Sequence, residues 1–266
     1  MIPSQVGDEP QKPGTVWLSP NWRDWYDDGW TATNIDRMTA QRPYLHWHLA
    51  VELATPDADD VRRGTAIHKL WNAVESRVKM LHAEYDLSSL KGVLGWSRRT
   101  DRLQTLHLLG LARPLILLRL KELRNIVEHQ DQCAPPYEDC STYIDTVWYF
   151  LRSTDIFASR RISTFEKSEP LSISTGPRRP KFISFDFDGQ EWLPAVRGCF
   201  SVTEVATHPH PEAIELNLSH SLKPEDDGLV YVRGSVAPAS PHLSEIVRHY
   251  FLVDLPNDGT ANGRAE

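Results

Sequence analysis

The sequence predicts an α+β protein in which an N-terminal α-helical bundle precedes a small antiparallel β-rich domain. In the first part of the chain, apolar residues recur at three- and four-residue steps, as on one face of a helix. Later, short apolar runs alternate between turn residues, which is typical of strands with one buried face. The predicted segments are a disordered arm (1–16), the helical domain (17–153), a linker (154–180), the β-rich domain (181–255) and a disordered tail (256–266).

Proline marks the start of the first two predicted helices. Pro43 suits the first position of a helix that continues to Leu53, because proline lacks the N–H that this position leaves unpaired. Thr55 can cap a second, long helix over Pro56–Tyr85. One face of the long helix carries regularly spaced apolar residues, namely Ile67, Leu70, Trp71, Val74, Val78, Leu81 and Tyr85.

Three more helical segments follow in the sequence. A helix resumes near Thr100, and Pro114 either kinks it or begins a new helix that ends at His129. Ser141 can cap a last helix that buries Ile144 and Leu151. The strands predicted after the linker are Lys181–Asp188, Val202–Thr207, Ile214–Ser219, Leu229–Arg233 and Val247–Val253.

Composition excludes several classes of protein. The 29 basic and 36 acidic residues leave a net charge of −7, which argues against a surface coated in basic charge. The start lacks the pattern of a signal peptide, and no stretch approaches the roughly 20 apolar residues that span a bilayer. We therefore expect a cytoplasmic protein without membrane contact, whose three cysteines are reduced. Phosphate-binding glycine loops, nucleophile elbows and zinc signatures do not occur in the sequence, so we expect neither cofactor nor metal.

The most informative segment is Arg124-Asn125-Ile126-Val127-Glu128-His129, at the end of a predicted helix. The spacing of Arg and His alone is not specific, because it recurs at Arg63/His68 and Arg102/His107. The context is distinctive: Asn follows Arg directly, Glu precedes His, and the helix has a full apolar face.

This segment resembles the signature of the HEPN superfamily, helical-bundle proteins that include RNA-cleaving toxins and antiviral defence nucleases. The resemblance covers about residues 43–153 and does not extend to the β-rich part. It implies a metal-independent endoribonuclease that leaves 2′,3′-cyclic phosphate ends, with RNA as substrate and an antitoxin or regulatory protein as a further partner. In toxins silenced by a nucleotidyltransferase, a Tyr lies two residues after the His; here Asp131 stands there, so we do not predict that modification.

Helix geometry bears on how the motif residues can meet. Arg124 and His129 are separated by about 140° around a helix, so they converge only if His129 lies at a frayed end. Two copies of the helix meeting across a two-fold axis would also bring both sets into one cleft. HEPN ribonucleases are similar in this respect, since their active site is composite at a homodimer interface. We therefore expect a homodimer.

RNA cleavage without metal requires an acid/base group and a cation. Histidine titrates near neutrality, so His129 suits the acid/base role. A guanidinium matches phosphate oxygens, so Arg124 suits stabilisation of the phosphate. Asn125 would orient the histidine or the phosphate, and Glu128 would fix the histidine tautomer or pair with Arg124. A basic patch just upstream is a candidate for RNA contact: Arg98, Arg99 and Arg102.

A second interpretation of the same residues is that they form an ordinary polar helix surface. An Arg–Glu pair four residues apart is common on solvated helices, and a histidine at a helix C-terminus is favoured by the helix dipole. The alternative function is a non-catalytic HEPN-like module that dimerises or binds a partner protein through this polar patch.

Overall fold

The computed structural model describes residues 14–97, 99–129, 133–170, 180–187, 192–238 and 240–252. The protein belongs to the α+β class, as predicted. Its residues fall into two compact units. The sheet unit comprises Met1–Trp30 and Thr164–Ile246, and the helical unit comprises Thr31–Ser163 and Val247–Glu266.

The described part of the chain contains eight α-helices. They are α1 (Arg37–Leu53), α2 (Asp60–Glu84), α3 (Leu87–Val93), α4 (Arg102–Leu108), α5 (Pro114–His129), α6 (Tyr137–Ser153), α7 (Asp155–Ser159) and α8 (Leu243–Leu252). Of these, α5 begins at Pro114, so this proline starts a new helix rather than kinking an existing one.

Aspartate side chains cap the first two helices and place their starts differently from the prediction. Asp36 accepts a hydrogen bond from the Thr39 backbone N–H (2.9 Å), so α1 begins six residues before Pro43 and contains it. Asp59 accepts from the Arg62 N–H (2.8 Å), so α2 begins after the predicted cap, Thr55. The predicted cap of the last bundle helix is also displaced, because α6 begins at Tyr137.

Eight strands form one sheet in the order β2-β3-β4-β5-β8-β7-β1-β6. Their bounds are β1 (Thr15–Leu18), β2 (Tyr26–Asn34), β3 (Arg160–Ser168), β4 (Phe182–Asp186), β5 (Ala195–Ser201), β6 (Val205–Ala206), β7 (Ile214–Leu218) and β8 (Leu229–Val236). The registered pairs are antiparallel.

The sheet revises three predicted boundaries. Strand β1 begins at Thr15 and buries Val16, so the predicted arm to residue 16 is too long. The predicted helical domain contains β2, and the predicted linker contains α7 and β3. The predicted tail (256–266) and residues 171–179 of the predicted linker fall outside the described residues.

Helix α8 replaces the predicted strand Val247–Val253. The buried residues there do not alternate with exposed ones, as they would in a strand. They are separated by three residues and one residue in turn, which is the spacing of one helix face. The burial pattern therefore belongs to one face of a helix: Leu243, Ile246, Val247, Tyr250 and Phe251 are buried.

A fully buried arginine organises the helical unit. Arg77 of α2 has a side-chain exposure of 0%, and its Nη2 lies 2.9 Å from Asp155 Oδ1. Its Nη1 donates to the Leu151 carbonyl (3.3 Å) and to Thr154 Oγ1 (3.2 Å). Tyr44 of α1 donates its hydroxyl to the other Asp155 oxygen (2.7 Å). These bonds tie α1 and α2 to the junction of α6 and α7.

We predict that Arg77→Met lowers the free energy of unfolding by about 3 kcal/mol, because it leaves a carboxylate and buried acceptors without their donor. The control is Lys79→Met on the same helix. Lys79 is 55% exposed and forms only a surface pair with Glu75, so its loss should change stability by less than about 0.5 kcal/mol. Urea unfolding measures both. Equal, small effects would contradict the structural role of Arg77.

In the sheet unit, two glycines allow neighbouring strands to approach closely. A Cβ at Gly234 of β8 would lie 2.4 Å from the Asn217 carbonyl oxygen, and a Cβ at Gly198 of β5 would lie 2.5 Å from that of Phe182. Both obstacles are backbone atoms, which cannot rotate away. Glycine is therefore required at both positions by the packing of the strands.

We predict that Gly234→Ala destabilises the protein by about 2 kcal/mol, since the strands must separate to admit the methyl group. Gly29→Ala in β2 is the matched control, because nothing lies within 4 Å of a Cβ there. Thermal unfolding compares the two. The explanation fails if both substitutions have the same effect.

Candidate active site

Helix α5 carries the predicted motif and packs against α2, and its buried residues are Leu117 and Leu120. Near its end, Gly64 of α2 lies against it: a Cβ at this position would be 3.1 Å from Val127 Cγ1. Because the α2 side chain is absent there, the two helices come close together. His129 is the last residue of α5.

Four motif side chains form a continuous series of polar contacts. Arg124 Nη1 donates to Asn125 Oδ1 (2.9 Å), and Arg124 Nη2 forms a salt bridge with Glu128 Oε2. The same Glu128 oxygen lies 3.6 Å from His129 Nε2. The carboxylate of Glu128 therefore pairs with the guanidinium, while its separation of 3.6 Å from the imidazole is too long for a hydrogen bond.

Exposure of the side chains increases along this series. Arg124 is 24% exposed, Glu128 37% and His129 64%. The Nε of Arg124 is buried, and it has no hydrogen-bond partner among the described residues. The arginine is thus held in place while the histidine is open to solvent.

A groove of about 470 Å³ lies between α2 and α5. Arg124 and Glu128 line one side of it, and His129 stands next to Glu128. The other lining residues are Asp60, Val61, Gly64, Thr65, His68 and Lys69 from α2, and Val127 from α5.

No role for His68 was predicted, and this residue lines the groove together with Arg124 and Glu128. Val61, Thr65 and His68 follow one another at four and three residues, so they form one stripe of α2. The stripe carries the polar residues Thr65 and His68 and the exposed Val61, whereas the buried face of the helix is apolar. This spacing was the only sequence signal for a role of His68. It does not distinguish a helix face that lines a groove from one that faces solvent.

Basic side chains surround His46, which lies near His68. Burial lowers the pKa of the His46 imidazole, and Lys69, Arg42 and His68 lower it further. Both carboxylates that line the groove have partners, since Asp60 Oδ1 accepts from the Ala134 N–H (2.7 Å) and Glu128 pairs with Arg124. An anion can therefore enter the groove only by competing with these carboxylates for Lys69 and Arg124.

The basic patch predicted for RNA contact is not part of this groove. Arg98 lies outside the described residues. Arg99 is exposed just before α4. Arg102 lines a separate hollow of about 240 Å³ with Lys121, whose Nζ lies 5.9 Å from the centre of the Trp71 ring. Asp131, which departs from the toxin pattern, is also outside the described residues.

Neither a metal-binding cluster nor a membrane-spanning helix is found among the described residues. No three His, Cys, Asp or Glu side chains within the described ranges are grouped so as to hold a metal ion. Among the described helices, none is both long and apolar enough to cross a bilayer. In comparisons with protein-family models, curated proteins and solved structures, nothing matches the chain.

We predict that the His46 imidazole titrates below the ordinary value of 6.5, and that Lys69→Gln raises its pKa. Lys79→Gln, elsewhere on α2, should leave the pKa of His46 unchanged. NMR titration of the imidazole protons measures all three proteins. Because the folded-state pKa is the lower one, the stability contributed by neutral His46 is present above about pH 6.5 and is lost as the pH falls below it. A His46 pKa at or above 6.5 would contradict the lowering of the pKa by burial and by the neighbouring basic side chains.

Proposed function

We propose that the protein is a metal-independent endoribonuclease of the HEPN type, acting at the groove between α2 and α5. The observation that carries the proposal is the series Asn125–Arg124–Glu128–His129 at the edge of this groove. The arrangement of the helical unit is compatible with a HEPN-like bundle, because the motif helix follows a long helix and precedes a further one.

The proposed reaction divides its tasks between the ends of the series. A base removes the proton of the ribose 2′-OH, the 2′-oxygen attacks the adjacent phosphorus, and an acid protonates the departing 5′-oxygen. The product is a 2′,3′-cyclic phosphate. His129, exposed and at the helix end, is placed to exchange protons with RNA, and Arg124 is placed to stabilise the charged phosphate. His68 supplies a second imidazole at the groove for the opposite proton transfer.

Glu128 has a specific part in this proposal. It already occupies Nη2 of Arg124, so an incoming phosphate must share or replace it. Its second neighbour is His129, whose Nε2 lies 3.6 Å from the carboxylate. A carboxylate between the two groups would thus couple phosphate binding at the arginine to proton exchange at the histidine.

A homodimer with a composite site is the proposed assembly. Helix α5 buries only Leu117 and Leu120, while Leu115 is 68% exposed. On α1, Met38 and Leu45 are 72% and 65% exposed. These apolar side chains also favour the second candidate, a non-catalytic dimerisation module. The toxin or antiviral setting, and regulation by an antitoxin or other protein, belong to the proposal through the resemblance alone.

We predict that the purified protein cleaves single-stranded RNA in the presence of EDTA. His129→Ala and Arg124→Ala should each slow cleavage by about 100-fold or more, as expected for loss of a general acid/base or a phosphate-binding charge. Arg119→Ala, an exposed cation on the same helix, is the matched control and should keep the wild-type rate. A quenched fluorescent oligonucleotide measures the rates.

Two results would contradict the ribonuclease proposal. Cleavage that survives both motif substitutions would place the activity elsewhere or in a contaminant. Absence of cleavage by all four proteins, with each folded and equally dimeric, would favour the non-catalytic module. Sedimentation and circular dichroism establish the folded and dimeric state.

A further inference from the structure

Two arginines stand directly opposite each other in the sheet unit. In the register of β5 and β8, Arg197 is the partner of Arg233. Directly opposite residues of an antiparallel pair have Cβ atoms about 5 Å apart, and like charges in this position are destabilising. A pair of this kind therefore costs stability unless something else compensates its charge.

The surroundings compensate the charges only in part. Arg197 Nε donates to Ser184 Oγ (3.3 Å), and Glu166 lies at the next position of the same cross-strand row. Burial chiefly raises the pKa of the Glu166 carboxyl, and Arg197 opposes that shift. Within the described ranges, neither arginine forms a salt bridge, and both are exposed. The charge of Arg233 is thus the less compensated of the two.

Both arginines line a hollow of about 510 Å³ on the exposed face of the sheet. One carboxylate, that of Asp186, also lines it. The remaining polar groups are neutral hydrogen-bonding side chains: Asn217, Ser219 and Ser235. The hollow therefore offers a pair of guanidinium groups together with donors and acceptors suited to a sugar or a base edge.

An exposed aromatic ring adjoins the arginines. Tyr231 lies two residues before Arg233 on β8, so both side chains are on one face, and Tyr231 is 40% exposed. It also lines a second hollow of about 560 Å³, together with His220, Lys223 and the carboxylate of Glu225. The His220 and Tyr231 rings are 6.1 Å apart. An aromatic platform thus lies between two hollows, each of which contains at least one cation and one carboxylate.

We propose that this face of the sheet, defined by Arg197, Arg233, Tyr231 and Lys223, binds a single strand of nucleic acid. The arginine pair holds a phosphate, which relieves the repulsion between them. A base stacks on Tyr231, and Lys223 contacts the backbone beyond it. The alternation of cation, ring and cation distinguishes this ligand from a simple anion, which needs no ring. The site is separate from the α2–α5 groove and does not depend on the proposed cleavage.

The test is a fluorescence-anisotropy titration of the full chain with a labelled single-stranded RNA. All riboses are 2′-O-methylated, so that the proposed cleavage cannot occur. Arg197→Gln/Arg233→Gln should weaken binding at least tenfold and reduce the salt dependence of log K by about 0.7, because the pair holds one phosphate. Tyr231→Leu should weaken binding about fivefold or more. Arg37→Gln, an exposed cation at the start of α1, is the control and should bind as the wild type does.

Further arms separate this site from the groove and from other ligands. Arg197→Gln/Arg233→Gln should weaken RNA binding equally when it is introduced into the Arg124→Ala variant, which is altered only in the α2–α5 groove. Failure of one proposal therefore does not imply failure of the other. Duplex RNA should bind more weakly than the single strand, because its bases are not free to stack.

The Arg233→Gln variant should also unfold at a higher urea concentration than the wild type, since the substitution removes the like-charge neighbour of Arg197. Unchanged RNA binding by the folded double variant, or equal affinity for the duplex, would overturn the proposal.

Discussion

The buried guanidinium of Arg77 is the interaction on which the helical unit depends. It joins α2 to the α6–α7 junction through Asp155 and two further acceptors, and Asp155 in turn accepts from Tyr44 of α1. His68 lies nine residues earlier on α2, which places it half a turn around the helix from Arg77. The interaction that anchors one side of α2 therefore leaves the opposite side available to line the groove.

Three arginine environments in this protein differ in how fully their charge is compensated. Arg77 is completely buried and both of its terminal nitrogens have acceptors, so its role is structural. Among the described residues, Arg197 and Arg233 face each other without a carboxylate in salt-bridge contact, which is the situation expected where a ligand supplies the missing charge. Arg124 is intermediate, because one carboxylate holds it while its side chain is 24% exposed. A phosphate can compete for Arg124 only by displacing or sharing Glu128.

Sequence patterns predicted the elements whose signal was long and periodic. The face of α2 that carries Ile67, Leu70 and Val74 is buried as predicted, because many residues repeat the period. Boundaries were predicted less well, since Thr55 and Asp59 are both plausible caps and only the packed chain selects one. The four-residue β1 has too few residues to show a period. The predicted strand from Val247 is part of α8, whose apolar face is recognisable only when the residues from Leu243 are included. His68 could not be assigned because a groove is formed by two helices, and sequence spacing describes one.

The chemical identity of the RNA ends distinguishes metal-free cleavage by the ribose 2′-oxygen from metal-dependent hydrolysis. Attack by a ribose 2′-oxygen, assisted by His129 and Arg124 without metal, leaves a 2′,3′-cyclic phosphate and a 5′-hydroxyl. The measurement is mass spectrometry of the fragments that the wild-type protein produces from a defined RNA in EDTA. We expect a cyclic phosphate on every new 3′ end and no cleavage where the scissile ribose is 2′-O-methylated. Fragments with 3′-hydroxyl and 5′-phosphate ends, or cleavage that requires added metal, would contradict it.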